Sequence, residues 1–492
     1  MAGRVSAVRA QARTKSATLR ARLSADSRAA IGRRAGRIRL LPAVLLALTA
    51  GLGVAAAAYG FLRWITPVDA SKGAAEIDIT RVALTVVAGV GGVVALVIAY
   101  RRQRDLEQSR FVERFGAAAA QLGATDVAVR IAGVYAMAGV ADESEGTRRQ
   151  QCIDVLCGYL RLPYDAEHGA SGRTKLVVKA PRVERGRVRG ETEEHVEYRQ
   201  NDREVRATIV RVIADHLRPK ADYSWSASNF DFRTAHLEDV DLSNTTFAGD
   251  ARFVGATFSG RTEFANTTFS GTAEFDEAIF SGDTRFVGAS FAGTTQFDKV
   301  TFSGAIRFSG ATFAGDAWFY KATFAGDTWF SETTFAGDNT WFSRATFSGA
   351  TRFDRAAFAG TARFSGATFA GEAWFAKATF AGEAWFDKAT FAGTARFSRA
   401  TFADDTWFDE ATFSGDTWFD RAAFAGDTRF DEATFFGSVR FVGVEFGAAA
   451  VSFVNPKQWG PPAPMFDWGH DVSQKPVNIE PQDWPPTVST TS

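Results

Sequence analysis

Between Phe247 and Phe446 a phenylalanine recurs after five residues, then six, then five again, and the positions between are small, hydroxylated or charged. Phe369, Phe375, Phe380, Phe386, Phe391 and Phe397 give the beat, and the text around them is nearly constant: ATFAGEAWFAK, ATFAGEAWFDK, ATFAGTARFSR. A fixed period of eleven residues marks an array or solenoid. Eleven residues also close three helical turns, so a right-handed coiled coil is the first alternative. It fails on geometry, because residues five apart point about 140° away from each other on a helix and the two Phe rows form no seam. Nearly every unit also holds a Gly, which would cost about 1 kcal/mol inside a helix. Short runs such as Thr-Trp-Phe and Ala-Thr-Phe, separated by Ala-Gly-Asp or Ser-Gly-Asp, are strand and turn chemistry. The pattern predicts a chain that coils through very short strands.

Just upstream the rhythm is simpler. Phe232, Leu237, Leu242 and Phe247 are all five apart, with Ala235, Val240 and Thr245 two places before three of them and Asp231 and Asp241 directly before two. This stretch resembles the pentapeptide-repeat family, whose pattern is Ala-(Asp/Asn)-Leu-X-X. The resemblance covers a little under half of the chain and implies a right-handed quadrilateral β-helix. The departure is a sixth residue in every second unit. With four sides per coil, five plus six taken twice closes the circuit, so the coil is two written units and long corners stack on long corners. A three-sided coil would stack long on short. About nine coils follow, a rod about 43 Å long at about 4.8 Å per coil. Asn339 lengthens one long corner by a residue, and a local bulge is expected there. Each centre and the small residue two before it should face inward, as a stack of Phe interleaved with Ala and Thr. A solenoid has open ends, and both need covers.

Apolar runs elsewhere predict helices. Residues 40–62 and 82–100 carry no charge and are long enough to span a bilayer. The basic region before the first is too long for a secretory signal, and a second apolar run follows closely, so a two-helix transmembrane hairpin over 40–100 is expected. Arginines precede the first span and recur at Arg101, Arg102 and Arg104. The positive-inside rule then makes the chain a multi-pass protein of the cell membrane with both termini and the repeat in the cytoplasm. Residues 101–220 read as a small α-helical domain, with a helix of HEAT or armadillo type after an N-cap signal at Thr125 and Asp126. Within it a charged, mobile loop is expected near 165–200, then an amphipathic helix through Val205, Ile209, Val212, Ile213 and Leu217, a candidate cover for the first coil. The β-helix is bounded at 228–453. Residues 454–492, rich in Pro and Trp, are expected not to continue strands and to form a tail or cap. The expected fold is thus mainly β solenoid, preceded by the transmembrane hairpin and the helical domain.

Composition sharpens this only in places. The net charge of zero is a cancellation, since residues 1–39 are strongly basic around the single Asp26 while the repeat is acidic. That basic tail could bind nucleic acid, but contact with anionic lipid is the cheaper reading. Two cysteines give no disulfide framework. Cys152 and Cys157 are five apart, which suits no zinc pattern. His168, His195, His216, His236 and His470 are scattered, there is no P-loop, and Gly51-x-Gly53 lies inside an apolar span. No metal, cofactor or catalytic constellation is expected.

One constellation does stand out, at the residue directly before every second Phe, which should point outward. One face reads Arg307, Trp329, Arg352, Trp374, Arg396, Trp418, Arg440, and the opposite face Trp318, Trp341, Trp385 and Trp407 with Arg363 and Arg429. At one coil apart these side chains fall within the roughly 6 Å reach of cation–π contact. They brace the rod or bind a partner. The expected function is a non-catalytic, membrane-anchored cytoplasmic scaffold presenting a rigid rod to a protein partner. The resemblance implies an alternative, a DNA mimic that binds topoisomerases, which the modest acidity and the arginine rows disfavour.

Overall fold

The computed structural model describes residues 74–166, 175–184, 187–197 and 201–489, with isolated helical positions between 49 and 64. The basic segment 1–39 and most of the apolar stretch 40–62 lie outside the described residues. Helix α1 (Ala74–Leu122) runs unbroken through the second apolar stretch. Among the described residues no helix is long and apolar enough to cross a membrane. Several side chains of 82–100 are not among those residues.

Three further helices, α2 (Val127–Asp142), α3 (Thr147–Leu160) and α4 (Asp202–Leu217), pack around Val134, Met137, Ile153, Leu156, Ile209 and Ile213, all fully buried. Asp126 caps α2 by accepting the N–H groups of Ala128 and Val129, as its position predicts. Gly133 lets α2 approach the end of α1, since a Cβ there would lie 2.7 Å from the Leu122 nitrogen. A buried ionic group ties the helices together. Arg130 donates to one oxygen of Asp202 at 2.7 Å, the Tyr159 hydroxyl donates to that same oxygen, and Arg206 donates to the other at 2.8 Å. Buried charge is tolerated when paired in this way. Cys152 and Cys157 are buried free thiols, pushed up by desolvation to about 11 and about 12, and so unreactive.

Between α3 and α4 the chain departs from the expected loop. Strands β1 (Lys175–Glu184) and β2 (Arg187–Glu197) form an antiparallel pair. Its register sets Lys175 opposite Glu197 and Lys179 opposite Glu193, so charges that read as loop composition fall on paired positions of opposite sign.

From Phe230 onward the chain is a β-solenoid with four faces per coil. On the first face twelve strands stack, from Phe230–Asp231 to Ile479–Glu480, which makes eleven turns. Two written units make one coil on every face: Phe280 pairs with Phe302 on the second, Arg307 with Trp329 on the third, and Phe291 with Phe313 on the fourth. At Asn339 the step grows by one, with Trp318 still opposite Trp341 and Trp341 opposite Arg363. The insertion is absorbed in its own corner, where the strand lengthens to Asn339–Trp341.

The core is a square column of phenylalanines. Phe375 is fully buried and stacks on Phe353 and Phe397, both at 4.9 Å and within 6° of parallel. It also meets Phe364 and Phe386 edge to face at 5.5 and 5.6 Å. Both geometries suit the aromatic quadrupole. The five-residue corners are type II turns, as in Phe375–Ala376–Lys377–Ala378, where Ala378 donates to the Phe375 carbonyl at 3.0 Å and Lys377 takes φ 61°. Most six-residue corners hold a glycine. A Cβ on Gly393 would lie 2.4 Å from the Gly371 carbonyl oxygen one coil below, so the glycine is required by close stacking. Acidic corner residues bond coil to coil: Asp327 accepts the Ala350 N–H at 2.9 Å, and Asp405 that of Asp427 at 2.9 Å.

Both ends are covered. At the first coil Arg203 of α4 pairs with Glu238 at 2.9 Å and Asp239 at 3.0 Å, while Trp225 is fully buried and donates to Asp142. At the last coil the Pro- and Trp-rich segment corrects the expectation that it cannot form strands. Gln458–Trp459 and Met465–Phe466 continue the second and third faces, and Ile479–Glu480 the first. Trp484 then lies edge-on over Phe466 at 5.1 Å and Trp459 at 5.5 Å.

Candidate functional site

Because each coil repeats the register of the one before, the outward residue before each Phe on the first and third faces forms a continuous row. On the third face Arg307, Trp329, Arg352, Trp374, Arg396, Trp418 and Arg440 pair in that order. The Arg396 guanidinium lies 4.4 Å from the Trp374 ring and 4.6 Å from that of Trp418. Arg352 lies 4.7 Å from Trp374, and Arg307 4.8 Å from Trp329. Arg440 at the end of the row turns instead to Asp420 at 3.2 Å.

The first face carries the second row. Trp318 and Trp341 stack at 5.7 Å, Arg363 sits between Trp341 and Trp385 at 5.4 and 5.6 Å, and Trp385 and Trp407 lie 4.4 Å apart. Arg429 ends the row between Asp409 and Asp431, 3.4 Å from each. Every tryptophan of the two rows is half-buried. Trp374 donates its indole N–H to Glu372 and Trp385 to Glu383. The indole N–H groups of Trp318 and Trp341 and the Nε groups of Arg363 and Arg396 are buried without a hydrogen-bond partner.

Reading the rows alone misses what flanks them. On the first face Asp387, Asp409 and Asp431 follow one another after successive Phe centres, and the Asp431 N–H donates to Asp409. The Asp409 carboxyl is raised above its ordinary range, first by burial, with Asp431 and Asp387 adding and Arg429 opposing. Lower on the same face Asp276 is raised to about 6 by burial, with Asp298 and Glu274 adding. On the corner after the third face the left-handed position holds Arg355, Lys377, Arg399 and Arg421 in four consecutive coils. Arg355 pairs with Glu332 at 2.9 Å, whereas Lys377, Arg399 and Arg421 are exposed and form no ion pair among the described residues. Wrapping the sequence two units to a line would have shown both columns.

Chemistry of other kinds finds little purchase. Among the described residues no three His, Cys, Asp or Glu side chains are grouped to hold a metal. The cleft between α4 and the first coil, lined by Arg203, Arg206, His236 and Glu238, has no nucleophile, and burial lowers the His236 imidazole. What the solenoid offers is two long, stiff, aromatic and charged faces.

Residues 242–290, 286–334, 330–379, 375–422 and 408–455 match the family model for pentapeptide repeats in nine copies. No curated protein and no solved structure matches the chain. The repeats that build the four-faced solenoid thus place this part of the chain, residues 242–455, in the pentapeptide-repeat family.

Proposed function

We propose that this chain is a non-catalytic scaffold, anchored in the cell membrane with its solenoid in the cytoplasm, and that the two Arg–Trp rows are its protein-binding surfaces. The observation that carries the reading is the third-face row, in which half-exposed Trp and Arg alternate along a rigid backbone. Trp and Arg are the residues that most often anchor interfaces, and exposed aromatic rows of this length are uncommon on surfaces without a use. The anchor is supported by the uncharged helical stretch 82–100 within α1 and the arginines that follow it. A DNA mimic would need a continuous negative stripe along the rod, whereas the acidic column of the first face is interrupted by Tyr320, Ser343 and Ser365, and Lys377, Arg399 and Arg421 line another edge.

The test is to change Trp329, Trp374 and Trp418 together to Ser in the full chain. Each exposed cation–π contact contributes about 0.5–1 kcal/mol, whereas an interface anchor contributes about 2 kcal/mol or more. Partner capture should therefore be abolished while the melting temperature falls slightly. A variant that loses much of its stability yet keeps its partner makes the row a brace, and the binding reading fails.

A further inference from the structure

The fourth face takes no part in either row. In three successive coils its outward positions hold Thr379 and Ala381, Thr401 and Ala403, and Ala423 and Ala425, all exposed except the half-buried Ala423. The face is flat and made of small residues, but its two edges carry opposite charge. On the corner that enters it stand Lys377, Arg399 and Arg421, and on the corner that leaves it Glu383, Asp405 and Asp427, with Asp404 beside them. At each of these levels a base and an acid thus border the same short strand. Asp420, next to Arg421, turns away to Arg440 of the third face at 3.2 Å. The acids are held in place by bonds within the fold: Glu383 accepts the Trp385 indole N–H, Asp405 the Asp427 N–H and Asp427 the Ala450 N–H. Among the described residues none of these edge acids, and none of Lys377, Arg399 and Arg421, forms an ion pair. Like charges stacked one coil apart, at about 4.8 Å, repel one another, and each column is stabilised when an opposite column lies against it. The second face is built of similar small residues, but the corner before it sets Lys388 beside Glu410, 3.4 Å apart, so its edges do not divide by sign.

We propose that two copies dock fourth face to fourth face, with their rods parallel and related by a two-fold axis that runs along the rods between them. Rotation about that axis keeps every coil at its own level and exchanges the two edges, so the basic edge of each copy lies against the acidic edge of the other. Lys377 of one copy then meets Glu383 of the other, Arg399 meets Asp404 and Asp405, and Arg421 meets Asp427, and each pairing is made twice. The strands run in opposite directions across the contact, which sets Thr379 over Ala381 and Thr401 over Ala403, the larger side chain of each face against the smaller one of the other. Antiparallel rods would set basic edge on basic edge and are excluded. Lower down, the same rotation brings Glu332 level with Asp338, and there Glu332 is already held by Arg355 at 2.9 Å. A contact of this symmetry uses the same patch on both copies and closes as a dimer. It leaves both Arg–Trp rows facing outward, so it goes beyond the reading of those rows and does not depend on it. The six coils from Thr312 to Ala423 cover about 29 Å of the face. That is a narrow interface, at the low end of the range for specific association, so it should be weak and salt-sensitive.

Sedimentation velocity of the full chain in a non-ionic detergent tests this, with two variants of reversed edge charge. One is Lys377→Glu/Arg399→Glu/Arg421→Glu, and Glu already takes the same left-handed backbone at Glu332 and Glu410. The other is Glu383→Lys/Asp404→Lys/Asp405→Asn/Asp427→Asn, in which Asn keeps the oxygens that accept the backbone N–H groups. The parent should pass from monomer to dimer with rising concentration and stop there, and raised salt should weaken the dimer at least tenfold. Each variant alone should dimerise at least tenfold more weakly than the parent, since its opposed edges then repel. An equimolar mixture of the two should dimerise at least tenfold more tightly than either alone, because the altered edges attract each other and the untouched edges meet as in the parent. Such recovery also shows that both variants fold. A parent that stays monomeric or grows past the dimer, variants that associate like the parent, or a mixture no tighter than its components would overturn the proposal. So would binding of the parent to an acidic polypeptide without self-association.

Discussion

Gly393 lies directly over Gly371, so close that a β-carbon on the upper residue would stand 2.4 Å from the carbonyl oxygen of the lower. Neither glycine takes a left-handed backbone, so space and not conformation selects it. Gly393→Ala must push two coils apart against their ladder of hydrogen bonds. A loss of about 1–3 kcal/mol is expected, as for other overpacked sites. A melting curve of the variant that overlays the parent's would show that the coils can part freely there.

The inward assignment of the centres makes a second prediction. Phe375→Ala should cost about 3–5 kcal/mol, felt first in the coils on either side, because stability in a solenoid is shared between neighbours. Phe375→Asp should cost more, since it buries an unpaired charge. Hydrogen exchange resolved along the chain would locate the loss, and protection unchanged between 353 and 397 would contradict the packing described above.

Asp276 gives the pH dependence a sign. Its carboxyl is raised to about 6 in the fold from an ordinary value of 3.8. The folded chain therefore holds its proton where the unfolded chain has released it, and stability falls as pH rises between those two values. Asp276→Asn keeps an acceptor for the Asp298 N–H and removes the charge. The variant should be more stable than the parent at pH 7 and indistinguishable from it below about pH 3.8. Equal melting temperatures at pH 7 would mean that water screens this carboxylate.

The proposed membrane anchor predicts that protease added to intact cells leaves residues 101–492 uncut, because under the positive-inside rule Arg101, Arg102 and Arg104 would keep that end of an apolar span in the cytoplasm. Digestion of the solenoid from outside would reverse the orientation.

The alternation of five and six makes the four-sided coil legible in the sequence, since stacking forces long corners onto long ones. The end of the solenoid is not legible there, and the reason is physical. Phe435 pairs with Trp459, Phe441 with Phe466 and Val451 with Ile479, so the step lengthens unevenly from one face to the next. A final coil has no coil stacked beyond it, so its corners vary in length and the beat is lost while the strands persist. The corner conformation is hidden for another reason. Lys377 and Arg399 take the left-handed position that Gly366 and Gly310 fill elsewhere, and nothing in the identity of a lysine announces a positive φ. The Arg–Trp rows are legible because they follow the Phe beat. Their flanking charges are not, because they emerge only when the text is wrapped by the coil.

That wrapping has a consequence for how such a chain can lengthen. The written unit is eleven residues, but the coil is two of them, so each unit advances the path by half a circuit. Duplicating a single unit would turn everything after it to the opposite side, joining the Arg–Trp row of one flank to that of the other and breaking both charge columns at the joint. Duplicating two units would add one level and leave every column intact. Growth that keeps the faces is therefore even-numbered, and a gene that gains or loses repeats by slippage is constrained by parity as much as by stability.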